Sequence, residues 1–392
     1  MSTSSHGEAP VPVPAGTASA PADTGPGPAP AGSGPASAPP GPDSSGRLDE
    51  ALERIHTLGP EFDGWLSNHA PMAVEALVRH GRSDTVHRWL DRYRERLEDM
   101  PAPATPITAG NWREALGDPR RITDWALYFE RETADRPWRE VLAEWWPLLL
   151  PGIAGGATHP AIRVGHAVRT LLTTEETAPR VAELAHGLGY WAARHDPLPA
   201  GVRFTGSPAD ATAALGAVTP VPDQSAGIRR RLAQLTALPD WPNTPAAPGS
   251  PEEAETRLRG LVAAATHRYA THGHAEPVML VHAATAPNAV LRTLPALPRE
   301  LWAPSLDAAW AASAAVTAAY APAGLEPWPG AGHGSAPGST RSGTRTPEEI
   351  FAAAAAHGDD HTIKFTDTAL DVGDPLALIA AGRSIDLNEP LL

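Results

Sequence analysis

The sequence predicts an all-α protein, and three observations lead there. Alternating apolar and polar runs of strand length are almost missing. Alanine is abundant and β-branched runs are scarce. Apolar side chains instead recur three and four positions apart, the spacing of a helix with one buried face. The expected architecture is one large multi-helix domain over residues 46–392 with a histidine-lined pocket at its centre. No fixed-period repeat of the helical-solenoid kind is present.

Residues 1–45 are Pro, Ala, Gly and Ser with almost nothing bulky and apolar. Such a segment cannot bury enough surface to offset its ordering entropy, so a disordered tail is expected. Helical spacing begins with Leu48, Leu52 and Ile55. In the run Trp65–Met72, Ser67 or Asn68 caps a helix with Pro71 in its first turn, which puts His69 at its start. Val74, Leu77 and Val78 continue that helix to Gly81. Ser83 and Asp84 open the next, which carries Val86, Trp89, Leu90, Tyr93 and Leu97. Pro101–Gly110 reads as a loop. Helices resume at Trp112–Leu116, Trp125–Phe129 and Trp138–Leu150, and Pro151-Gly152 and Gly155-Gly156 break the last.

Thr158 is a fair cap for the segment that follows, where His159 and His166 lie two turns apart on one face. Glu175–His195 is a further helix, and 197–224 is broken by Pro and Gly. Gly227–Leu238 reads as helical, and Pro239–Pro251 as a loop. A long helix is expected over Glu252–Tyr269. The apolar run Val278–Pro287 contains His282, an unusual place for so polar a ring. Leu301–Tyr320 is an Ala-rich helix with Trp302 and Trp310, and Glu326–Thr346 is a loop. Pro347–His357 is helical and stops at Gly358, and Asp374–Gly382 is a last short helix.

Between those two lies Asp359–Asp367, which holds the only lysine in the chain; the other 30 basic residues are arginine. Lysines whose charge alone matters are readily exchanged for arginine. Lys364 is therefore a place where a guanidinium does not serve: a buried ammonium can lose its proton and react, and a guanidinium cannot. The competing reading is a neutral accident, or a core lysine paired with Asp360 or Asp367. If the segment is helical, His361 and Lys364 share a face.

Composition narrows the chemistry. Cysteine is absent, so disulfides, thiolate metal sites, iron–sulfur clusters and a cysteine nucleophile are excluded. The net charge of -14 argues against nucleic acid as a partner. No apolar run spans a bilayer and no secretory pattern opens the chain, so the expected compartment is the cytoplasm. Local signatures add little. H-E-x-x-H is absent, and Glu53-x-x-His56 and Glu183-x-x-His186 are spacings that arise often by chance. His272-x-His274 reads as a surface turn, and His80, His87, His186 and His195 as the rim of amphipathic helices. Gly330-x-Gly332-x-Gly334 has no strand before it, and neither a P-loop nor G-x-S-x-G occurs.

Five histidines stand out by context: His69, His159, His166, His282 and His361. Taken singly, each is more often a hydrogen-bonded core residue than a ligand. Together they come from four separate helical regions of the kind whose facing sides build sites inside bundles, and neutral imidazole suits Fe, Zn, Cu and Ni. An all-histidine site leaves the ion's charge uncompensated. Asp360, Glu75 and a carbamate formed from Lys364 and carbon dioxide are the candidate anions.

The pieces Leu66–Met72, Thr158-His159-Pro160 through Gly165–Arg169, Val281–Pro287 and Asp360–Lys364 resemble, in this order and spacing, the questin oxidase-like family. The likeness runs over about Leu48 to Leu387 and leaves out the tail. It implies oxygen-dependent ring-opening oxidation of a polycyclic aromatic polyketide, such as an anthraquinone, in secondary metabolism. The family is described both as an NADPH-dependent, Baeyer–Villiger-type oxidase and as holding non-haem iron on histidines and a modified lysine. The resemblance thus implies His69, His159, His282, His361 and Lys364 as ligands of Fe(II), with His166 in reserve. It also implies dioxygen and a small aromatic substrate as partners. No Rossmann fingerprint is present, so NADPH is expected at most as a diffusing reductant. Trp65, Trp125 and Trp146 are candidates for stacking on a flat substrate, and Arg163 or Arg169 for meeting a phenolate or carboxylate. Two other classes stay open: a metal-dependent hydrolase with a carboxylated lysine, and a helical binding protein without metal.

Overall fold

Helix starts follow the local chemistry of the chain closely. The computed structural model describes residues 44–206, 208–241, 250–327 and 345–391. The tail expected over 1–45 lies outside these but for its last residues, and so do most of the 326–346 loop and the Gly330–Gly334 run.

In chain order the longer helices are α1 (Ser44–His56), α2 (Ala70–Arg79), α3 (Val86–Tyr93), α4 (Ile122–Asp135), α5 (Trp138–Leu149), α6 (His159–Thr173) and α7 (Ala178–Ala193). They continue with α8 (Pro251–His272), α9 (His282–Thr293), α10 (Trp302–Tyr320), α11 (Pro347–His357), α12 (Asp360–Val372) and α13 (Pro375–Leu387). Among the described residues strand is confined to two small pairs. Glu61–Phe62 meets Leu66–Ser67 antiparallel, and Arg203–Thr205 meets Ala237–Pro239 in parallel. The fold is all-α, and no helix among the described residues is long and apolar enough to cross a membrane.

Side-chain caps fix several of these starts. Asp359 accepts from the Thr362 amide at 2.7 Å and opens α12. Thr346 and Glu349 form a reciprocal capping box at α11, and Gly358 ends that helix in the left-handed conformation. One expected helix is corrected. Gly227–Leu238 is helical only over Ile228–Leu232, and its end turns into the strand Ala237–Pro239. Asp374–Gly382 extends further than expected, to Leu387.

Tryptophan fills the larger core. Trp125, Trp145, Trp146 and Trp191 are fully buried, and Trp146 and Trp191 meet edge to face at 5.3 Å. Burial of such side chains is the main stabilising term, about 1.5–3 kcal/mol for each large apolar residue. A second core joins α1, α2 and α3 to α11 and Ile363 of α12. Where the two cores meet, α2, α6, α9 and α12 close a ring: α2 packs on α6 and α12, and α9 packs on α6 and α12. The α6–α9 edge is unusually tight. A Cβ on Gly165 would lie 2.5 Å from the Ala289 Cα, so only glycine lets these backbones approach.

Candidate metal centre

All four helices of the ring begin at one place, and each has a histidine within one residue of its start. His69 is the residue before α2, His159 opens α6, His282 opens α9, and His361 is the second residue of α12. The local sequence explains these starts. Pro71 and Pro160 sit in first turns, where a missing N–H costs nothing. The turn before α6 is strained. Gly156, Ala157 and Thr158 are all left-handed, with φ of 55°, 55° and 68°. Two of the three carry a Cβ, and such conformations persist where surrounding structure imposes them. Thr158 occupies the cap position of α6 without making the side-chain cap expected of it. At α2 the cap position is His69 itself, while Asn68 Oδ1 accepts from the Ala70 amide at 2.9 Å.

The rings converge. Centroids lie 4.4 Å apart for His69–His159, for His69–His361 and for His159–His282, and 5.3 Å apart for His282–His361. Each Nδ1 is committed away from the centre. His159 Nδ1 donates to the Gly156 carbonyl at 2.7 Å, and His282 Nδ1 to the Met279 carbonyl at 2.9 Å. His69 Nδ1 donates to Asp360 Oδ1 at 2.5 Å, and His361 Nδ1 lies 2.8 Å from the same oxygen. Anchoring one ring nitrogen on a carbonyl or carboxylate sets the tautomer and leaves the Nε2 lone pair free, the usual outer arrangement around a histidine-held metal. His69, His159 and His361 each offer a ligand atom within 4.8 Å of the others.

A carbonyl oxygen only accepts, so His159 and His282 both carry their proton on Nδ1. Their Nε2 atoms nonetheless face each other at 2.8 Å. Two lone pairs at that distance repel unless a cation or a proton sits between them. A proton is disfavoured there: burial, with the neighbouring histidines and Lys364, pushes both imidazoles well below their ordinary range. Burial and the Lys364 charge likewise push His69 down to about 3. Its Nε2 is buried without a hydrogen-bond partner among the described residues. A metal ion meets what this donor set lacks.

Lys364 is fully buried in α12, one turn after His361, and its Nζ has no hydrogen-bond partner among the described residues. Burial pushes it down to about 8. The alternative pairing with Asp360 or Asp367 is not formed. Asp360 takes two histidines, and Asp367 meets Arg169, Arg292 and His80.

His166 is elsewhere. It lies two turns down α6, about 10 Å along the axis from His159. There its Nδ1 meets Glu75 Oε2 at 2.7 Å. This lower layer again draws on all four helices: Glu75 from α2, His166 and Arg169 from α6, Arg292 from α9, and Asp367 and Asp371 from α12. Burial pushes Glu75 up, but Arg169 and His166 outweigh it and hold the carboxyl at about 2. Glu75 is thus held by this ion-pair layer, beneath the histidines.

Other candidates are corrected too. Arg163 is buried and paired bidentately with Glu183, at 2.6 and 2.7 Å, and Arg169 meets Glu75 and Asp367; neither is free for a substrate anion. Trp125 and Trp146 are core, and Trp65 is 61% exposed in the turn between Glu61–Phe62 and Leu66–Ser67. His186 is buried against Glu130, not at a rim, and the two E-x-x-H segments bring His56, Glu183 and His186 together. His272 ends α8, and neither it nor His274 is fully exposed. Sequence reasoning missed the Gly156 and Met279 carbonyls as ring anchors, and a backbone carbonyl leaves no side-chain signal.

Residues 66–368 match the family profile described as Questin oxidase-like, a span that contains all four histidines and Lys364. No curated protein matches the chain. That profile takes in most of the sequence, and by it the chain belongs to the questin oxidase-like family, an oxidoreductase acting on polyketide-type substrates.

Proposed function

We propose that this protein is an oxygen-dependent oxidoreductase that cleaves, or inserts oxygen into, a ring of a polycyclic aromatic polyketide such as an anthraquinone. In this reading His69, His159, His282, His361 and Lys364 hold a non-haem metal, and iron(II) is the ion assigned. The observation that carries it is the pair of Nε2 atoms of His159 and His282, 2.8 Å apart with both Nδ1 protons already used. Bound iron supplies the electrons that let dioxygen react with a closed-shell aromatic ring.

The chain's own residues do the rest. Asp360 accepts from His69 and lies against His361 Nδ1, keeping two lone pairs directed inward. Lys364, neutral, takes up carbon dioxide: an N–C bond forms, a proton leaves to water, and the carbamate provides anionic oxygen donors. The four helix N-termini favour that anion. NADPH, diffusing in, is the reductant assigned where the substrate's own electrons do not suffice. The cytoplasm is the compartment assigned.

The test is metal analysis of purified protein followed by oxygen uptake with an anthraquinone. Stoichiometric iron, and oxygen consumption lost in His159→Ala, is the expected outcome. Turnover without oxygen consumption would mean a hydrolase, and protein purified without metal and inert to reconstitution would mean a binding protein; either overturns the reading.

A further inference from the structure

Helix α3 supplies no member of the histidine cluster, yet it touches two of the four helix starts that do. Trp89 and Tyr93 lie one turn apart on it, are fully buried, and stack with ring centroids 4.7 Å apart and planes 15° apart. Both belong to the second core, and packing alone accounts for their apolar bodies. Their polar atoms have a more specific use. The His69 amide donates to the Tyr93 hydroxyl at 3.0 Å, and Trp89 Nε1 donates to the Gly358 carbonyl at 2.7 Å.

His69 stands at the cap position of α2, where an amide has no partner within the helix. Gly358 ends α11 and lies two residues before Asp360, the first residue of α12. Tyr93 thus holds the backbone at one histidine-bearing start, and Trp89 holds the backbone just ahead of another. These two starts have to agree closely. The Nδ1 atoms of His69 and His361 lie 2.5 and 2.8 Å from the same Asp360 oxygen. A slip of about 1 Å between the starts takes those contacts out of hydrogen-bond reach. The α6 and α9 starts need no such help, because His159 and His282 are anchored on carbonyls just ahead of them in the chain, those of Gly156 and Met279.

We propose that Trp89 and Tyr93 are positioning residues that act as one clamp on the histidine centre. The clamp fixes the start of α2 against the start of α12, and so sets where His69 and His361 direct their Nε2 lone pairs. Neither ring contributes a ligand atom. The clamp's role in metal binding rests on the reading of the histidines as a metal centre, while its effect on the His69–Asp360 contact belongs to the metal-free protein as well.

The test is proton exchange, measured by NMR on full-length protein isotope-labelled at histidine, first metal-free and then loaded with Co(II). Tyr93→Phe keeps the ring and removes the hydroxyl, and Trp89→Phe keeps an aromatic body and removes the indole N–H. In either variant the His69 Nδ1 proton should exchange with water at least tenfold faster, while the Nδ1 protons of His159 and His282 keep their wild-type rates. The double variant should be little faster than either single one, since each breaks the same clamp. Melting curves show whether each variant is folded, and the milder Tyr93→Phe carries the test alone if Trp89→Phe is not. Tyr93→Phe should also bind Co(II) at least tenfold more weakly, with altered visible absorption bands. Unchanged exchange at His69 in folded Tyr93→Phe, equal acceleration at all three histidines, or unaltered Co(II) affinity and absorption overturns the proposal. A wild type that binds no Co(II) counts against the metal centre alone, because the exchange rates of the metal-free protein still decide whether the clamp exists.

Discussion

Replacing Lys364 with methionine separates the two readings of this residue. Methionine keeps most of the apolar stem and removes the amine. In the metal-free protein the ammonium is buried with no partner, and burial pushes it from 10.5 down to about 8. At about 1.4 kcal/mol for each tenfold change, that fall corresponds to about 3 kcal/mol of destabilisation. The folded value lies below the unfolded one, so the cost is fully present below pH 8, fades between 8 and 10.5, and is gone above. Lys364→Met should therefore raise the stability of metal-free protein by about 3 kcal/mol at pH 7 in urea denaturation with carbon dioxide excluded. The gain should shrink as the pH is raised toward 10.5. The same variant, and Lys364→Arg, should copurify with far less metal than the wild type. Lower stability of Lys364→Met at pH 7 would revive a structural ion pair, and stoichiometric metal in either variant would refute the ligand role.

Three further outcomes follow from the same geometry. Asp360→Asn weakens the anchor of two imidazoles at once and should lower metal affinity about 10–100-fold in competition with a chelator, with the fold intact by circular dichroism. Glu183 is buried; burial pushes its carboxyl up, but Arg163 and His56 hold it at about 2, so its stabilisation is present above about pH 4.5 and lost as the pH falls toward 2. Glu183→Gln should thus cost about 3–5 kcal/mol at pH 7, leaving Arg163 unpaired, and should flatten the acid limb of the stability curve. Ala157→Gly relieves one left-handed residue and should stabilise the chain by about 1 kcal/mol in thermal melts, with metal content unchanged.

Local features were legible in the sequence, and partners distant along the chain were not. Capping residues, prolines in first turns and apolar spacing are local, so helix starts such as those of α2 and α11 could be read directly, within a residue or two. Gly227–Leu238 shows the limit. Its apolar residues keep helical spacing, but Ala237–Pro239 pairs with Arg203–Thr205, a partner some thirty residues away. His159 and His166 illustrate it within one helix. Both lie on the same face, yet one meets three other imidazoles and the other meets Glu75 two turns below. Arg163 and Arg169 look like free cations in sequence because their carboxylates come from elsewhere in the chain. Lys364 was singled out by its rarity, a signal that depends on composition and not on neighbours.

The convergence of helix starts bears on why this position is lysine. Each helix N-terminus carries about half a positive charge, so four of them direct about two positive charges at one point. That field disfavours a divalent ion and favours anions. Asp360 offers one carboxylate, but its Oδ1 already meets two imidazoles at the Nδ1 atoms turned away from the centre. Asp359 caps α12, and Glu75 and Asp367 are bound into the arginine layer. In the proposed reading the missing negative charge arises at Lys364, where arginine would add to the field and an uncharged residue would leave it uncorrected. Metal loading should therefore depend on carbon dioxide: protein reconstituted in degassed, bicarbonate-free buffer should bind iron at least tenfold more weakly than in bicarbonate, and Lys364→Glu should bind it without bicarbonate. Equal loading in both buffers would place the compensating charge somewhere other than on this amine.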